Sequence, residues 1–152
     1  AKVVEKVYDC FVIRSAELYL NKAEAEAMLD KAEAKQTIKT LLNNRFEGGI
    51  PDVDGLNEKD LISFIRDERR RELCFEAHRW FDLRRYAVSS KYPEKKSIRH
   101  ETYDKNGVLE GDYVLKPYGE DPAWVLPIPG YEIVYNQGNL VDNPQRVERK
   151  LE

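Results

Sequence analysis

Apolar and polar residues follow a helical period in the first half of the chain and lose it in the second half. Residues 11–30 are rich in Ala, Leu, Glu and Lys and contain no Gly or Pro, which predicts a helix. A mostly small stripe on this helix would let a partner helix approach closely: Ala16, Tyr19, Ala23 and Ala27. A second helix is predicted over residues 33–46, so the pair resembles one hairpin of a tetratricopeptide array.

The glycines and proline at residues 48–51 end that hairpin. Asn57 is the expected N-cap of a long helix over residues 58–86, which we expect to be kinked or broken near residues 75–77. Its apolar positions predict a buried face: Leu61, Ile62, Ile65, Leu73, Phe75, Trp80, Phe81 and Leu83. Trp80 lies in the most apolar part of this helix and is expected to be buried.

Pro and Gly interrupt the chain after residue 86. Asn106-Gly107 predicts a hairpin turn between strand-like runs at residues 98–103 and 113–115. The apolar run at residues 124–129 predicts a tail that docks on the helical core. The predicted fold is mainly α: a tetratricopeptide-like helical array with a small β-hairpin and an extended Pro-rich C-terminal tail. Residues 1–152 are predicted to form a single domain.

Composition narrows the class of protein. The chain has 152 residues, 41% hydrophobic and 35% charged, with a formal net charge of −3. This balance is typical of a globular chain and provides no positive field for nucleic acid or anionic membrane. The first residues lack a signal peptide pattern, so an export signal would lie upstream. Cys10 and Cys74 lie in apolar stretches and are expected to be small buried side chains, with a disulfide between them left open.

Arginines and carboxylates are mixed along residues 66–85, which predicts a helix laced with ion pairs rather than a nucleic-acid surface. The expected pairs are Asp67–Arg71, Glu76–Arg79 and Asp82–Arg85. A glycosidase would need one carboxylic acid held protonated in a cleft. The nearby arginines are expected to keep Glu68, Glu72 and Glu76 ionised instead, so we predict no catalytic residues.

The sequence predicts neither a metal site nor a cofactor. His78 and His100 are far apart and have no neighbour at zinc-ligand spacing. Residues 52–57 lack the full pattern of a calcium loop. No nucleotide-binding or nucleophile motif occurs along the chain.

The chain contains nine Tyr, five Phe and two Trp. Most of these aromatic residues occupy positions with the apolar period and are expected to pack in the core. Four tyrosines in loop-like stretches are the freest to meet a ligand: Tyr92, Tyr103, Tyr118 and Tyr131. We single out Tyr118 and Trp124 as the first candidates for ligand contact, because the Pro-rich tail would hold them rigidly.

Three ordered motifs carry a family resemblance. Residues 14–25, RSAELYLNKAEA, resemble the R-x-A-E-x-x-L-N-x-A-E-A helix of SusD/RagB proteins. Residues 68–85, ERRRELCFEAHRWFDLRR, resemble that family's E-R-R-x-E-L-x-F-E-G-x-R-W-F-D-L-R-R signature. The LPIP of residues 126–129, with Glu132-Ile133 and Asn143-Pro144, resembles its C-terminal ending. Ala77 replaces the family's glycine, which favours a straighter helix there.

The resemblance implies the C-terminal portion of a surface-exposed outer-membrane lipoprotein, with its lipid anchor and most sugar contacts upstream. The resemblance implies that such a protein binds oligosaccharide or polysaccharide of a starch-like kind, as partner of a SusC-type TonB-dependent transporter in nutrient uptake. The resemblance also implies that the protein is not an enzyme. Two alternatives stay open: a helical-repeat adaptor that binds another protein, and a carbohydrate hydrolase. We also expect this chain alone to bind glycans weakly or not at all.

Overall fold

The computed structural model describes residues 13–143. Its helices and strands follow in the order α1 (Ser15–Met28), α2 (Glu33–Leu42), α3 (Glu58–Glu72), α4 (His78–Ala87), β1 (Ile98–Tyr103), β2 (Leu109–Leu115), a 3-10 turn (Pro122–Trp124) and α5 (Gly130–Tyr135). The chain divides between Arg79 and Trp80 into two compact units. The mainly helical fold with one small hairpin is confirmed, whereas the single domain over residues 1–152 stays a prediction.

Helix α1 packs against α2 and α3. Ala16, Ala23 and Ala27 are buried as predicted, but Tyr19 is 41% exposed. The helix ends because Asp30 adopts a left-handed φ of +57°. Two carbonyls of the last turn accept hydrogen bonds from the following backbone amides, Lys31 to Glu26 at 2.9 Å and Asp30 to Ala27 at 3.2 Å. This is the arrangement that commonly stops a helix, here without a glycine.

Helix α3 begins where the sequence predicts. The Asn57 side-chain oxygen accepts a hydrogen bond from the Asp60 amide at 3.0 Å, which satisfies one free donor of the first turn. Leu61, Ile62 and Ile65 are buried on the inner face of this helix.

The predicted long helix is broken between residues 73 and 77. This confirms the expected interruption, but the straighter helix expected from Ala77 is wrong: Phe75 and Ala77 have φ values of +63° and +62°, outside the helical region. The predicted burial of Phe75 and Phe81 is also wrong, since they are 104% and 63% exposed. Cys74 is exposed rather than buried, and Cys10 lies outside the described residues.

The hairpin forms around Asn106-Gly107 as predicted. Strand β1 pairs antiparallel with β2, from Ile98 opposite Leu115 to a bulge at Thr102/Tyr103. Asp104 closes the turn by accepting hydrogen bonds from the Asn106 and Val108 amides, both at 2.8 Å. Strand β2 begins at Leu109, four residues before the predicted start. The strand is longer because pairing continues past the bulge, where Tyr103 lies opposite Leu109.

Among the described residues of the C-terminal tail, 116–143, burial is confined to one point. Ala123 and Trp124 are buried, but Leu126 is 57% exposed, and α5 interrupts the predicted extended tail without burying a residue. Residues 126–128 are held by side chains from further along: Asn143 Nδ2 donates to the Leu126 carbonyl at 2.7 Å, and Asp142 accepts from the Ile128 amide at 2.9 Å.

Among residues 13–143, no helix is both long and apolar enough to cross a bilayer.

Candidate ligand-binding site

The two candidate ligand contacts, Tyr118 and Trp124, lie in the turn after β2 and contact side chains of α4. Trp80 and Arg84 are four residues apart on α4 and therefore project from the same side of the helix. Tyr118 and Trp124 come from the turn that follows β2. We call these four residues the aromatic corner.

The turn that carries Tyr118 and Trp124 is closed by its own polar groups. Asp121 accepts hydrogen bonds from the Ala123 amide at 3.0 Å and the Lys116 amide at 3.2 Å. The Trp124 indole N–H donates to the Lys116 carbonyl at 2.7 Å. These bonds span residues 116–124 and satisfy the polar edge of Trp124, so its ring can be buried without an unpaired donor.

The rings of the aromatic corner pack mainly on each other. Trp124 stacks on Trp80 with ring centroids 4.6 Å apart and an interplanar angle of 28°. Tyr118 meets Trp124 edge-on at 5.9 Å, and the Arg84 guanidinium carbon lies 5.6 Å from the Tyr118 ring centroid. Trp124 is only 2% exposed and has no free ring face to offer a sugar. Tyr118 is half-buried and is the member that a ligand could touch.

The other tyrosines predicted to be free lie on separate elements. Tyr103 is at the end of β1, where its hydroxyl donates to Glu101 at 2.5 Å and this bond raises its pKa. Tyr131 is exposed on α5. Tyr92 follows α4, and the Lys91 ammonium lies 5.8 Å from its ring centroid. Their separate positions fit the expectation that this chain holds no ready-made sugar platform.

A shallow pocket of about 280 Å³ lies beside α1 and α2. Its lining residues are Ser15, Ala16, Tyr19, Thr40, Leu41, Asn44 and Arg45. Several of its polar groups are already used: Asn44 Nδ2 donates to the Thr40 carbonyl at 2.8 Å, and the Thr40 hydroxyl donates to the Gln36 carbonyl at 3.0 Å. Part of the polar lining is therefore engaged within the chain itself.

Four charged side chains form a network that sequence spacing does not predict: Arg14, Arg45, Glu72 and Glu76. Arg14 donates from Nε to Glu76 at 2.9 Å and from Nη1 to Glu72 at 2.5 Å, and it also donates to the Glu72 carbonyl. Arg45 forms a fork with Glu72, at 2.8 and 2.7 Å. We call this set the arginine–glutamate network. The strong preference for Arg over Lys near these glutamates was its only signal in the sequence.

This network sets the protonation state of its carboxylates. The Arg45 and Arg14 hydrogen bonds hold the pKa of Glu72 below its usual value, and Arg14 does the same to the pKa of Glu76. The hydrogen bonds to Glu76 and Glu72 in turn raise the pKa of the Arg14 guanidinium. These lowered pKa values confirm the expectation that Glu72 and Glu76 stay ionised. The acid of a glycosidase needs a raised pKa instead.

The predicted ion pairs along α3 and α4 are only partly correct. Arg85 pairs with Asp82 at 3.1 Å as expected. Arg71 instead contacts Glu68 at 2.6 Å, and Asp67 lies 3.8 Å from Arg70. Glu76 pairs with Arg14 rather than Arg79, because the chain leaves the helix before residue 76 and the assumed helical spacing fails.

Two arginines of α3 reach α1 from buried positions. Arg66 donates to Glu24 at 3.3 Å, and both side chains are buried. Arg69 donates to Asn21 at 2.7 Å. A buried charge is tolerated only when it is paired, so these contacts tie α3 to one register on α1.

The structure brings no metal-ligand set together within residues 13–143. His78 Nδ1 lies 3.8 Å from Glu17, and His100 is exposed on β1.

Fold and site together define a helix-rich scaffold whose charged groups bind one another and whose aromatic residues brace a turn. The sequence profile of the SusD family matches residues 5–145. The chain belongs to the SusD family.

Relatives of known sequence or structure agree with this assignment. SusD-like protein P2 of Formosa agariphila is 28% identical in an alignment 142 residues long, which covers 87% of this chain and 25% of that protein. SusD-like protein P38 of the same organism is 41% identical over 79 residues, covering 47% of this chain and 16% of that protein.

Two crystal structures have similar folds. A SusD-like protein from Bacteroides fragilis has a TM-score of 0.53 and 28% identity, covering 88% of this chain and 25% of its own. A SusD-like carbohydrate-binding protein from Bacteroides vulgatus has a TM-score of 0.55 and 25% identity, covering 88% and 30%. The chain thus spans about a quarter of the length of the relatives that it matches over most of its residues.

Proposed function

We propose that this chain is part of a non-catalytic protein that binds oligosaccharide or polysaccharide for nutrient uptake. Membership of the SusD family over residues 5–145 carries the proposal. The Bacteroides vulgatus neighbour, described as a carbohydrate-binding protein, supports the ligand class.

Within such a protein, this chain acts mainly as a scaffold. Its buried arginines and the arginine–glutamate network hold α1 to α3, and the aromatic corner braces the turn after β2. Tyr118 is the residue we propose to touch a glycan, and its edge contact with the Trp124 ring fixes its position. Most sugar contacts belong to the part of the protein that this chain does not span.

The proposed partner is a SusC-type TonB-dependent transporter, and the proposed location is the surface of the outer membrane. Both follow from the family resemblance. The protein would reach that membrane through a lipid anchor upstream of this chain. It would capture the glycan and deliver it to the transporter without breaking a bond. The ionised state of Glu72 and Glu76 supports the absence of catalysis, because neither can serve as a proton donor near neutral pH.

Binding and hydrolysis can be separated in one experiment. The full-length protein is incubated with a panel of polysaccharides, and both retention on the insoluble polymer and release of reducing ends are measured. We expect retention on at least one polymer and no reducing ends. Release of reducing ends by the native protein, but not by a heat-denatured control, would favour the hydrolase. Absence of retention on every polymer, with another protein captured instead, would favour the adaptor.

The role of Tyr118 has a matched control on the same chain. Tyr118→Ala should weaken retention by the full-length protein by several fold, because one stacking or edge contact is lost. Tyr131→Ala removes an equally large ring from α5 and should leave retention unchanged. Equal retention by both variants would remove Tyr118 from the site without affecting the proposed function.

A further inference from the structure

The turn between α3 and α4 exposes side chains of the kind that proteins usually bury. Phe75 is 104% exposed, so its ring gains no cover from the rest of the described chain. Cys74 and Ala77 beside it are also exposed. Cys and Phe are among the residue types most often found in protein interiors. The sequence of this turn therefore suits a covered position.

The backbone of the same turn is strained. Phe75 and Ala77 have φ values of +63° and +62°, in the left-handed region that disfavours every residue with a Cβ atom. A bulky aromatic residue is rare in this conformation. Strain of this kind persists only where the surrounding structure enforces it.

The arginine–glutamate network provides that enforcement. Arg14 binds Glu72 on one side of Phe75 and Glu76 on the other, at 2.5 and 2.8 Å. Leu73, between Glu72 and Phe75, is buried. The ring of Phe75 is thus presented from a turn that is fixed at both ends, which lowers the entropy lost when a partner surface covers it.

We propose that Phe75 is a docking residue whose ring enters an apolar pocket in the part of the full-length protein that this chain does not span, with Cys74 covered at its edge. The lengths favour this occupant: the chain accounts for 25% of each of two relatives that it matches over most of its own residues. A pocket on the same polypeptide is present at high effective concentration and needs no separate partner. The inference depends on the family assignment and not on the proposed glycan binding.

Reactivity of Cys74 reports whether the turn is covered. In a Cys10→Ser background, Cys74 is the only thiol of the 152-residue chain. Its labelling by N-ethylmaleimide can be followed in both proteins on the peptide that contains residue 74, by mass spectrometry. We expect rapid labelling in the 152-residue chain and labelling at least tenfold slower in the full-length protein, at every protein concentration and without glycan.

Three results would overturn the proposal. Equal labelling rates would mean that the turn stays open in the full-length protein. Protection that grows with protein concentration would indicate a second copy as the occupant. Protection that appears only when the transporter is added would indicate a separate protein. Because no glycan is used, a failure of glycan binding would leave the labelling result interpretable.

Thermal unfolding of Phe75 variants provides the second arm. Phe75→Ala should leave the Tm of the 152-residue chain unchanged within about 2 °C, because the ring has no contacts to lose there. The same change should lower the Tm of the full-length protein by roughly 3–4 °C. Phe75→Leu keeps apolar volume and should restore most of the loss. An unchanged Tm for full-length Phe75→Ala would also overturn the proposal.

Discussion

Ala77 occupies a backbone position that suits glycine. Its φ is +62° and its side chain is exposed, so the Cβ atom causes strain and contributes little packing. Left-handed backbone costs a non-glycine residue about 1–2 kcal/mol, and glycine loses about 0.5–1 kcal/mol more entropy on folding. We predict that Ala77→Gly raises the free energy of unfolding by about 0.5–1 kcal/mol, measured by urea denaturation.

Ala25 provides the matched control. It is also exposed but lies inside α1, where the backbone is helical. Ala25→Gly should lower the free energy of unfolding by about 1 kcal/mol. If both substitutions destabilise the chain equally, the left-handed conformation at residue 77 is wrong.

Glu76 links stability to pH. Its pKa in the folded chain lies below the ordinary 4.5 because Arg14 donates hydrogen bonds to it. Its contribution is therefore fully present above pH 4.5 and is lost as the pH falls through the folded value. We predict that the unfolding free energy of the parent chain drops below about pH 4.5 more steeply than that of Glu76→Gln.

The control for this titration is Glu47→Gln, which alters an exposed carboxylate outside the arginine–glutamate network. Its pH profile should follow that of the parent chain. Parallel profiles for the parent and for Glu76→Gln would mean that the Arg14 contacts contribute nothing to stability.

At the scale of elements, one aromatic stack joins α4 to the turn after β2. Trp80 is partly buried and stacks on Trp124 at 4.6 Å. Its indole N–H is enclosed without a hydrogen-bond partner among the described residues, which is a cost that stacking and burial must outweigh. We predict that Trp80→Ala lowers the free energy of unfolding by about 3 kcal/mol, at the low end for core aromatics.

Phe81 is the neighbouring control on the same helix, with 63% of its surface exposed. Phe81→Ala should change the free energy of unfolding by less than about 1 kcal/mol. An unchanged Tm for Trp80→Ala would show that the stack is dispensable and would reopen Trp80 as a ligand platform.

The break between α3 and α4 illustrates what element prediction can and cannot reach. The apolar period of residues 61–65 and the cap at Asn57 are local signals, and the structure confirms both. The left-handed residues Phe75 and Ala77 carry no such local signal, because neither residue type favours that conformation. Contacts from Arg14, 62 residues from Glu76 along the chain, hold the turn that contains them.

At the scale of the molecule, we predict that the 152-residue chain alone binds glycans no more tightly than about 1 mM, roughly −4 kcal/mol. The rings of its aromatic corner pack on one another, and its exposed tyrosines lie on different elements. Sugar binding requires exposed rings and polar groups that converge. Titration calorimetry against a panel of oligosaccharides measures this directly.

The full-length protein is the comparison for this titration, since it should bind at least one member of the panel more tightly. A micromolar isotherm for the 152-residue chain would place the site within residues 1–152. Tyr118→Ala and Trp124→Ala would then be the first variants to test.

The sequence by itself determined the first two helices, the cap at Asn57 that begins α3, the turn at Asn106-Gly107 and, through three motifs, the family. Each of these depends on neighbouring residues, on a local period or on a recognisable order of residues. Only the tertiary structure decided that Arg14 binds Glu72 and Glu76, that Trp124 is covered by Trp80, and that Phe75 faces solvent. These outcomes depend on which distant segments meet, and local patterns carry no information about such long-range contacts.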